Sequence, residues 1–202
     1  FEVTIKGQQN HAGTTPMALR RDAVTGFGAF ITNLEERFTK IATPRSVWTI
    51  GRVDVPPNAP SIVPGELNCS VQIRDGSLAQ LDTMCEMIQK AAAQTAVERN
   101  LDISLLETKA VAPIDMDDGI VEQFCEAAKS TAPGAWRRMP SGALHDAMNL
   151  APQLPTGMIF VPSIGGISHA FEEDTQREHL VAGVQVMADT VARLWHLLDE
   201  TG

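Results

Sequence analysis

The sequence predicts an α+β chain in two parts. Residues 1–110 read as a β-α-β-β-α-β unit of the ferredoxin-like, split βαβ kind, and residues 111–202 as part of an α/β arrangement. Three observations carry this. Runs near residues 1–6, 46–55, 67–74 and 101–106 alternate apolar and polar side chains, the period of a half-buried strand. Runs near 18–41 and 78–100 repeat apolar residues at steps of three and four, the period of an amphipathic helix. Composition then shifts at Val111-Ala112-Pro113, beyond which one apolar strand-like run stands among three helical patterns.

Phe1-Glu2-Val3-Thr4-Ile5-Lys6 alternates as the first strand. His11-Ala12-Gly13-Thr14-Thr15-Pro16-Met17 follows and looks like a helix entrance. Thr15 can cap, and Pro16 suits the first helical position because its missing N–H is not needed there. The helix then runs from Ala18 to Ile41, with Val24, Phe27, Ile31, Leu34, Phe38 and Ile41 as its apolar stripe. Ser46–Val55 is a second strand, and Pro56-Pro57-Asn58-Ala59-Pro60 a loop, since proline cannot donate to a ladder. Leu67–Arg74 is a third strand. Asp75-Gly76-Ser77 turns into a helix with Leu78, Leu81, Cys85, Ile88 and Ala92 on one face, closed by Asn100 before a fourth strand, Leu101–Leu106. The open face and outer edge of such a sheet need cover, and a second copy of the chain is one way to supply it.

In the second part, Asp117 and Asp118 suit the start of a helix bearing Ile120, Val121, Phe124, Cys125 and Ala128. Pro133-Gly134 breaks it, and Ser141–Ala147 leads from a loop into a short helix. Thr156–Val161 reads as a strand buried on both faces. A last helix, Glu178–Leu198, carries Val181, Val184, Ala188, Val191, Trp195 and Leu198 on one face. One buried-type strand with three helices is too little for a complete α/β domain, which predicts partner strands upstream of Phe1.

Composition narrows the functions available. The apolar fraction of 44% is enough for a packed core, which excludes a disordered chain. A net charge of −9 without any basic cluster argues against nucleic-acid and anionic-membrane partners. No apolar run reaches the length of a membrane span, and the first residues lack the regions of a signal peptide. Cys69, Cys85 and Cys125 are scattered, which predicts buried free thiols in a reduced, cytoplasmic protein. The absence of P-loop, G-x-G-x-x-G, H-E-x-x-H and G-x-S-x-G patterns removes support for kinases, Rossmann dehydrogenases, zincins and serine hydrolases.

The residues that can carry chemistry stand in loops. His11 lies between a strand and a helix; it is either an active-site residue or an incidental histidine beside a cap. His169 follows the apolar run 156–161 through Gly165-Gly166 and precedes Glu172, Glu173 and Asp174, either as a metal ligand or as a solvated loop residue. His145-Asp146 is a metal pair, an acid–base pair or a helical first turn, and adjacent helical residues do not share a face. Ser141-Gly142 could offer backbone N–H groups to an anion. Arg74 closes a strand, as a carboxylate clamp or as a surface partner of Asp75.

Three stretches together carry a resemblance. They are Gly7–Met17 with Arg20-Arg21-Asp22-Ala23, then Pro64-Gly65-Glu66 with Gln72-Ile73-Arg74-Asp75, and Ser141–Ala147 with Phe160-Val161-Pro162-Ser163 and Gly166-Ile167-Ser168-His169. The chain resembles the amidase branch of the M20 metallopeptidase-like family: N-carbamoyl-L-amino-acid hydrolases, allantoate and ureidoglycolate amidohydrolases, and β-ureidopropionases. The resemblance implies a lid domain in residues 1–110 that also forms a homodimer. It makes residues 111–202 the C-terminal portion of a zinc-peptidase-like catalytic domain, whose N-terminal portion, with most metal ligands and the glutamate base, lies outside this chain. Two divalent ions (zinc, manganese, cobalt or nickel) are implied for the complete enzyme, with none tightly held by this chain, which is expected to be inactive alone.

By the same resemblance, His169 is a metal ligand. His11 reaches across the dimer to the scissile group and stabilises charge on the carbonyl oxygen. Arg74 grips the substrate carboxylate, and the backbone from Gly142 to Leu144 contacts that carboxylate too. The implied reaction is attack of metal-activated water on the C–N carbon of an N-carbamoyl-L-amino acid or related ureido acid such as allantoate. The rival readings are an aminoacylase or peptidase of the same family and, for this chain alone, a dimerisation and substrate-gripping module. The sequence departs from the family pattern at Ser61, where an asparagine is usual thirteen residues before the arginine, and at Leu144, which replaces a glycine and would narrow the pocket. It departs also at Ala170-Phe171, which replace Ser-Pro.

Overall fold

The computed structural model of the chain describes residues 1–108 and 110–201, with the side chains of the last helix through His196. The chain divides into two compact units, Phe1–Pro113 and Ile114–Gly202.

In the first unit, four strands form an antiparallel sheet: β1 (Glu2–Lys6), β3 (Val47–Asp54), β5 (Glu66–Arg74) and β6 (Asp102–Leu106), in the order β3-β5-β1-β6. Alternation works as the sequence pattern requires. Val3, Ile5, Leu67, Cys69 and Val71 are fully buried, and their strand neighbours point to the other face. Two helices, α1 (Ala23–Ile41) and α2 (Leu78–Arg99), cover the buried side, where Phe30, Leu34, Phe38, Met84 and Ile88 complete one core. Each such side chain contributes about 1.5–3 kcal/mol by leaving water. The polar Thr95 within this core is satisfied, because Asn33 Nδ2 of α1 donates to its Oγ1 at 3.0 Å.

Both helical stripes are rotated from the sequence expectation by about one residue. In α1 the core row is Ala23, Gly26, Phe30, Leu34 and Phe38, while Phe27, Ile31 and Ile41 flank it and Val24 is exposed. In α2 the row is Met84, Ile88, Ala91, Ala92 and Thr95, and Leu78 is exposed. Small residues cause the shift. Ala23 and Gly26 let the helix sit close enough for Leu101 to press on it, since a Cβ on Gly26 would stand 2.1 Å from a Leu101 methyl.

The open face of the sheet is polar. Thr4 Oγ1 donates to Asn68 Oδ1 at 2.7 Å, and Asn68 Nδ2 donates to Glu66 at 2.9 Å. Arg52 stands opposite Ser70, itself opposite Glu2, and its guanidinium reaches over the short serine to pair with Glu2. The centre of this face is polar, while Val47, opposite Arg74, and Leu106, opposite Glu2, leave apolar side chains exposed on the same face. The apolar surface to be covered lies on the edge strands, at Val47, Val53 and Leu106.

Two further strands position His11. β2 (Asn10–His11) pairs antiparallel with β4 (Ile62–Val63), with His11 opposite Ile62. The ribbon leaves the main sheet where Lys6 faces Glu66, and Gly7 N donates to Gly65 O at 2.8 Å. Gly65 is required there, because a Cβ would stand 2.4 Å from the Gln9 nitrogen.

The entrance to α1 also differs from expectation. Thr15 does not cap it and Pro16 is not its first residue. A single 3-10 turn, Met17–Leu19, intervenes, and Asp22 is the cap, its Oδ1 accepting from Val24 N at 2.9 Å and Thr25 N at 3.2 Å.

In the second unit, α3 (Asp118–Thr131) is capped by Asp117, which accepts from Ile120 N. α4 (Ala147–Leu150) is one turn, and α5 (Arg177–Thr201) packs against α3. The small core holds Ala127, Ala128 and Val186, with Phe124, Trp136 and Ile159 packed on it. One expectation fails. Residues 156–161 form no strand and have no ladder partner among the described residues. They lie close to both helices, since a Cβ on Gly157 would stand 2.6 Å from Ile120 and one on Gly183 would stand 2.6 Å from Val161. The apolar face marked by the spacing in α5 is left uncovered by α3: Val181, Val184, Val191 and Trp195 are exposed, while Val186 and Thr190 face α3. Leu198, the last residue of that stripe, lies outside the described side chains. The sequence marks the apolar side of α5 correctly, but α3 takes the narrower row beside it.

Candidate functional site

His11 is the best-braced of the predicted site residues. Its N–H donates to Asn10 Oδ1 at 2.8 Å, and its carbonyl accepts from Thr15 N at 3.2 Å and from Thr15 Oγ1 at 2.7 Å. Thr15 is thus engaged in closing the loop on itself, which is why it cannot cap the helix. The ring is held as well: Nδ1 accepts from Gly13 N at 3.0 Å and from Thr14 N at 3.2 Å. The imidazole is exposed.

Ser61 sits beside this loop. Its carbonyl accepts from Ala12 N at 3.0 Å, extending the β2–β4 ribbon by one bond. A shallow hollow of about 390 Å³, lined by Val24, Val55, Asn58, Pro60, Ile62 and Pro64, lies alongside. The structure therefore brings His11 and Ser61 together.

Arg74 is elsewhere. It ends β5, whereas the ribbon joins β5 at Glu66. Eight residue steps at roughly 3.3 Å put about 26 Å between these two ends. Arg74 Nη2 donates to Gln72 Oε1 at 3.4 Å. The adjacent Asp75 is held by other groups. Thr43 Oγ1 and Ser46 Oγ donate to its Oδ2 at 2.8 and 2.7 Å, and Ser77 N to its Oδ1 at 2.9 Å. Burial raises this carboxyl, but the hydrogen bonds from Ser46, Thr43 and the turn backbone outweigh it and hold the carboxyl below its ordinary value.

The remaining predicted residues belong to the second unit. Gly142 and Leu144 lie in an exposed loop, in which Ser141 Oγ is 2.7 Å from His145 Nε2. The Ala143 N–H is already engaged, donating to Ser141 Oγ at 3.2 Å. His145 also stacks obliquely on Phe160, with ring centroids 5.3 Å apart. His169 has a left-handed backbone, φ 57°, uncommon for a non-glycine residue. Glu173 holds it there by accepting from His169 N at 2.8 Å and Ser168 Oγ at 3.3 Å. Among the described residues, no group of three or more His, Cys, Asp or Glu is placed to hold a metal ion.

Two residues were missed by sequence reasoning. Arg20 reaches back from the 3-10 turn, its Nε donating to Thr15 O at 3.0 Å and its Nη2 to Ala12 O at 2.5 Å. Gly13 lies so close to His11 that a Cβ would stand 3.3 Å from ring Cε1. Both lie within the stretch from Gly7 to Ala23, but nothing in spacing alone separates them from neighbours.

Comparison with known proteins gives these features a context. A model of the peptidase family M20/M25/M40 matches residues 6–193. The chain is 35% identical to the allantoate amidohydrolase of Escherichia coli over 93% of its own length and 45% of that protein. It is 33% identical to the N-carbamoyl-L-amino acid amidohydrolase of Geobacillus stearothermophilus over 95% of its length and 46% of that protein. Among solved structures, an amidase of the hydantoinase/carbamoylase family from Burkholderia phymatum superposes with a TM-score of 0.86 at 36% identity, covering 98% of this chain and 47% of that one. The chain thus spans a little under half the length of the relatives it matches.

Proposed function

The chain belongs to the peptidase family M20/M25/M40, and from that premise we propose that it serves an amidohydrolase that cleaves the C–N bond of an N-carbamoyl-L-amino acid or a related ureido acid such as allantoate. The observation that carries the reading is the HAGTTPM loop, which presents the His11 ring with its Nδ1 already occupied, in a chain about one-third identical to carbamoyl amidohydrolases. An N–H donor held in advance suits an oxygen on which negative charge develops, because it need not reorganise as the charge appears. Arg74 offers the planar fork that pairs with the substrate carboxylate. Ser61 offers a hydroxyl where the family usually has an amide, a single short donor and acceptor. The Gly142–Leu144 backbone is a second carboxylate contact, with Ala143 turned away by its bond to Ser141.

In this reading residues 1–110 are the ferredoxin-like lid that pairs with a second copy, and residues 111–202 belong to the catalytic domain. The distance along β5 supports the pairing. The ribbon that carries His11 leaves the sheet at the Glu66 end of β5 while Arg74 closes the other end, a separation along the strand too long for one small acid to bridge, so in this reading each active site draws His11 from one subunit and Arg74 from the other. Divalent metals are expected of this family, and His169, braced by Glu173, is the candidate ligand. The described residues do not complete a metal centre around it.

The experiment is product release by the protein that carries this chain, supplied in parallel with N-carbamoyl-L-amino acids, allantoate, N-acyl amino acids and dipeptides. The reading expects turnover of a carbamoyl or ureido compound. Cleavage of dipeptides or N-acyl amino acids alone would replace it with the peptidase or aminoacylase reading.

A further inference from the structure

We propose that His11 acts solely as a hydrogen-bond donor through Nε2–H, and that Arg20 is the positioning residue that fixes this by holding the peptide group on which the ring rests. The proposal builds on the role of His11 given above.

The tautomer follows from the partners of Nδ1. Gly13 N and Thr14 N are backbone amides and can only donate, at 3.0 and 3.2 Å, so Nδ1 must present its lone pair to them. A neutral ring then carries its proton on Nε2. With Nδ1 occupied and Nε2 protonated, the ring has no lone pair left to act as a base. What it presents outward is one N–H.

Arg20 governs the orientation of this cradle. Its Nη2 donates to Ala12 O, and that oxygen is the opposite end of the same planar peptide group whose N–H, from Gly13, points at Nδ1. Its Nε donates to Thr15 O, so the half-buried guanidinium grips the loop on both sides of the cradle. The positive charge on the Ala12 carbonyl also polarises the peptide and strengthens the Gly13 N–H as a donor. A lysine cannot copy this, because one ammonium on a flexible stem does not span two carbonyls in a fixed fork. Gly13 completes the device: a Cβ at 3.3 Å from His11 Cε1 would press on the ring and displace it by a few tenths of an ångström from its seat on the amides.

The test reads the ring directly, apart from activity. The chain is labelled with ¹⁵N-histidine, and the long-range ¹H–¹⁵N correlations of His11 are assigned by their loss in His11→Gln. At neutral pH the expected pattern is a protonated Nε2 and an unprotonated Nδ1. In Arg20→Ala, Arg20→Lys and Gly13→Ala, both nitrogens should shift toward the average of two exchanging tautomers, with the far-UV circular dichroism unchanged. In the active protein, the same Arg20 substitutions should lower kcat about tenfold to a hundredfold with KM little changed, as a misplaced catalytic group does. A His11 ring protonated on Nδ1 would overturn the tautomer. An Arg20→Lys variant with wild-type signals and wild-type kcat would overturn the role of Arg20. The expected ring signals in a protein that turns over no carbamoyl or ureido compound would leave this inference standing and remove the amidase reading instead.

Discussion

Residues 67–74, which alternate, and residues 156–161, which are apolar almost throughout, both read as strands, and they meet opposite fates. The first is the middle of β5, laddered to β3 on one side and β1 on the other, with Leu67, Cys69 and Val71 buried. The second has no ladder partner among the described residues, and its Phe160 and Val161 are exposed. The helices repeat the contrast. α1 and α2 turn their apolar rows onto one shared core, whereas α5 exposes Val184, Val191 and Trp195. A sequence pattern states which surface an element must bury; whether it is buried depends on a partner. The first unit supplies its own partners, so the residues it carries, His11 and Ser61, are held by neighbours of the same chain. The second unit holds its loops by local bonds such as Ser141–His145 and His169–Glu173.

The largest expected effect tests the covered row of α1 against the uncovered side of α5. Phe38→Ala should cost about 3–5 kcal/mol, because it empties a fully buried site, whereas Trp195→Ser should change stability by less than about 0.5 kcal/mol. Equal losses in a denaturant titration would break the comparison. Next, His11→Ala should lower turnover about 10²- to 10³-fold and leave the melting temperature nearly unchanged, as expected of an exposed donor to a developing oxyanion.

The cysteines give a reporter in each unit. Burial, helped by the nearby Glu2, pushes the Cys69 thiol up to about 11, so it stays protonated at neutral pH and is enclosed by the sheet core. In native-state alkylation followed by mass mapping, Cys125 in the small core should react before Cys69; the reverse order would mean that the first unit opens more readily. The raised value of Cys69 also means that its contribution to stability is complete below its unfolded value near 9 and is lost as pH rises toward 11.

The smallest effect concerns Asp75. Its folded carboxyl lies below its ordinary value of 3.8, so its contribution is present above that pH and is lost as pH falls through the lower folded value. Asp75→Asn should flatten that acid limb and cost no more than about 1 kcal/mol at pH 7, given its exposure. An unchanged acid limb in pH-dependent melting would show that the Thr43–Ser46–Asp75 cluster is not what holds the strand end.

Much of the first unit was legible in the sequence, because period-2 and period-3.6 patterns act locally and each pattern found its partner within the chain. The caps Ser77, Asp117 and Asn100 stand where turn chemistry puts them. The failures have common causes. The α1 cap moved from Thr15 to Asp22 because Thr15 closes a hydrogen-bonded loop around His11, a tertiary use that propensity does not reveal. The two-residue strands Asn10–His11 and Ile62–Val63 are too short to leave a period. In the second unit, Val181, Val184 and Trp195 form the apolar face that their spacing marks, yet α3 packs on the Val186–Thr190 row beside them. Within the site, histidines and a strand-end arginine stand out by type, while Arg20 and Gly13 act through backbone groups that no side-chain motif encodes.

The placement of Arg74 at one end of β5 and of the His11 ribbon at the other leads to one decisive measurement. His11→Ala and Arg74→Ala variants of the active protein are each assayed alone, then mixed after dissociation and reassociation. If each site draws one residue from each subunit, half of randomly paired dimers are mixed and each mixed dimer keeps one intact site, so activity should recover to about a quarter of the wild-type value, from two nearly inactive parents. Activity no greater than the mean of the two parents, with mixed dimers verified by mass, would mean that one subunit supplies both residues, and would contradict the reading of His11 and Arg74 as partners across the dimer.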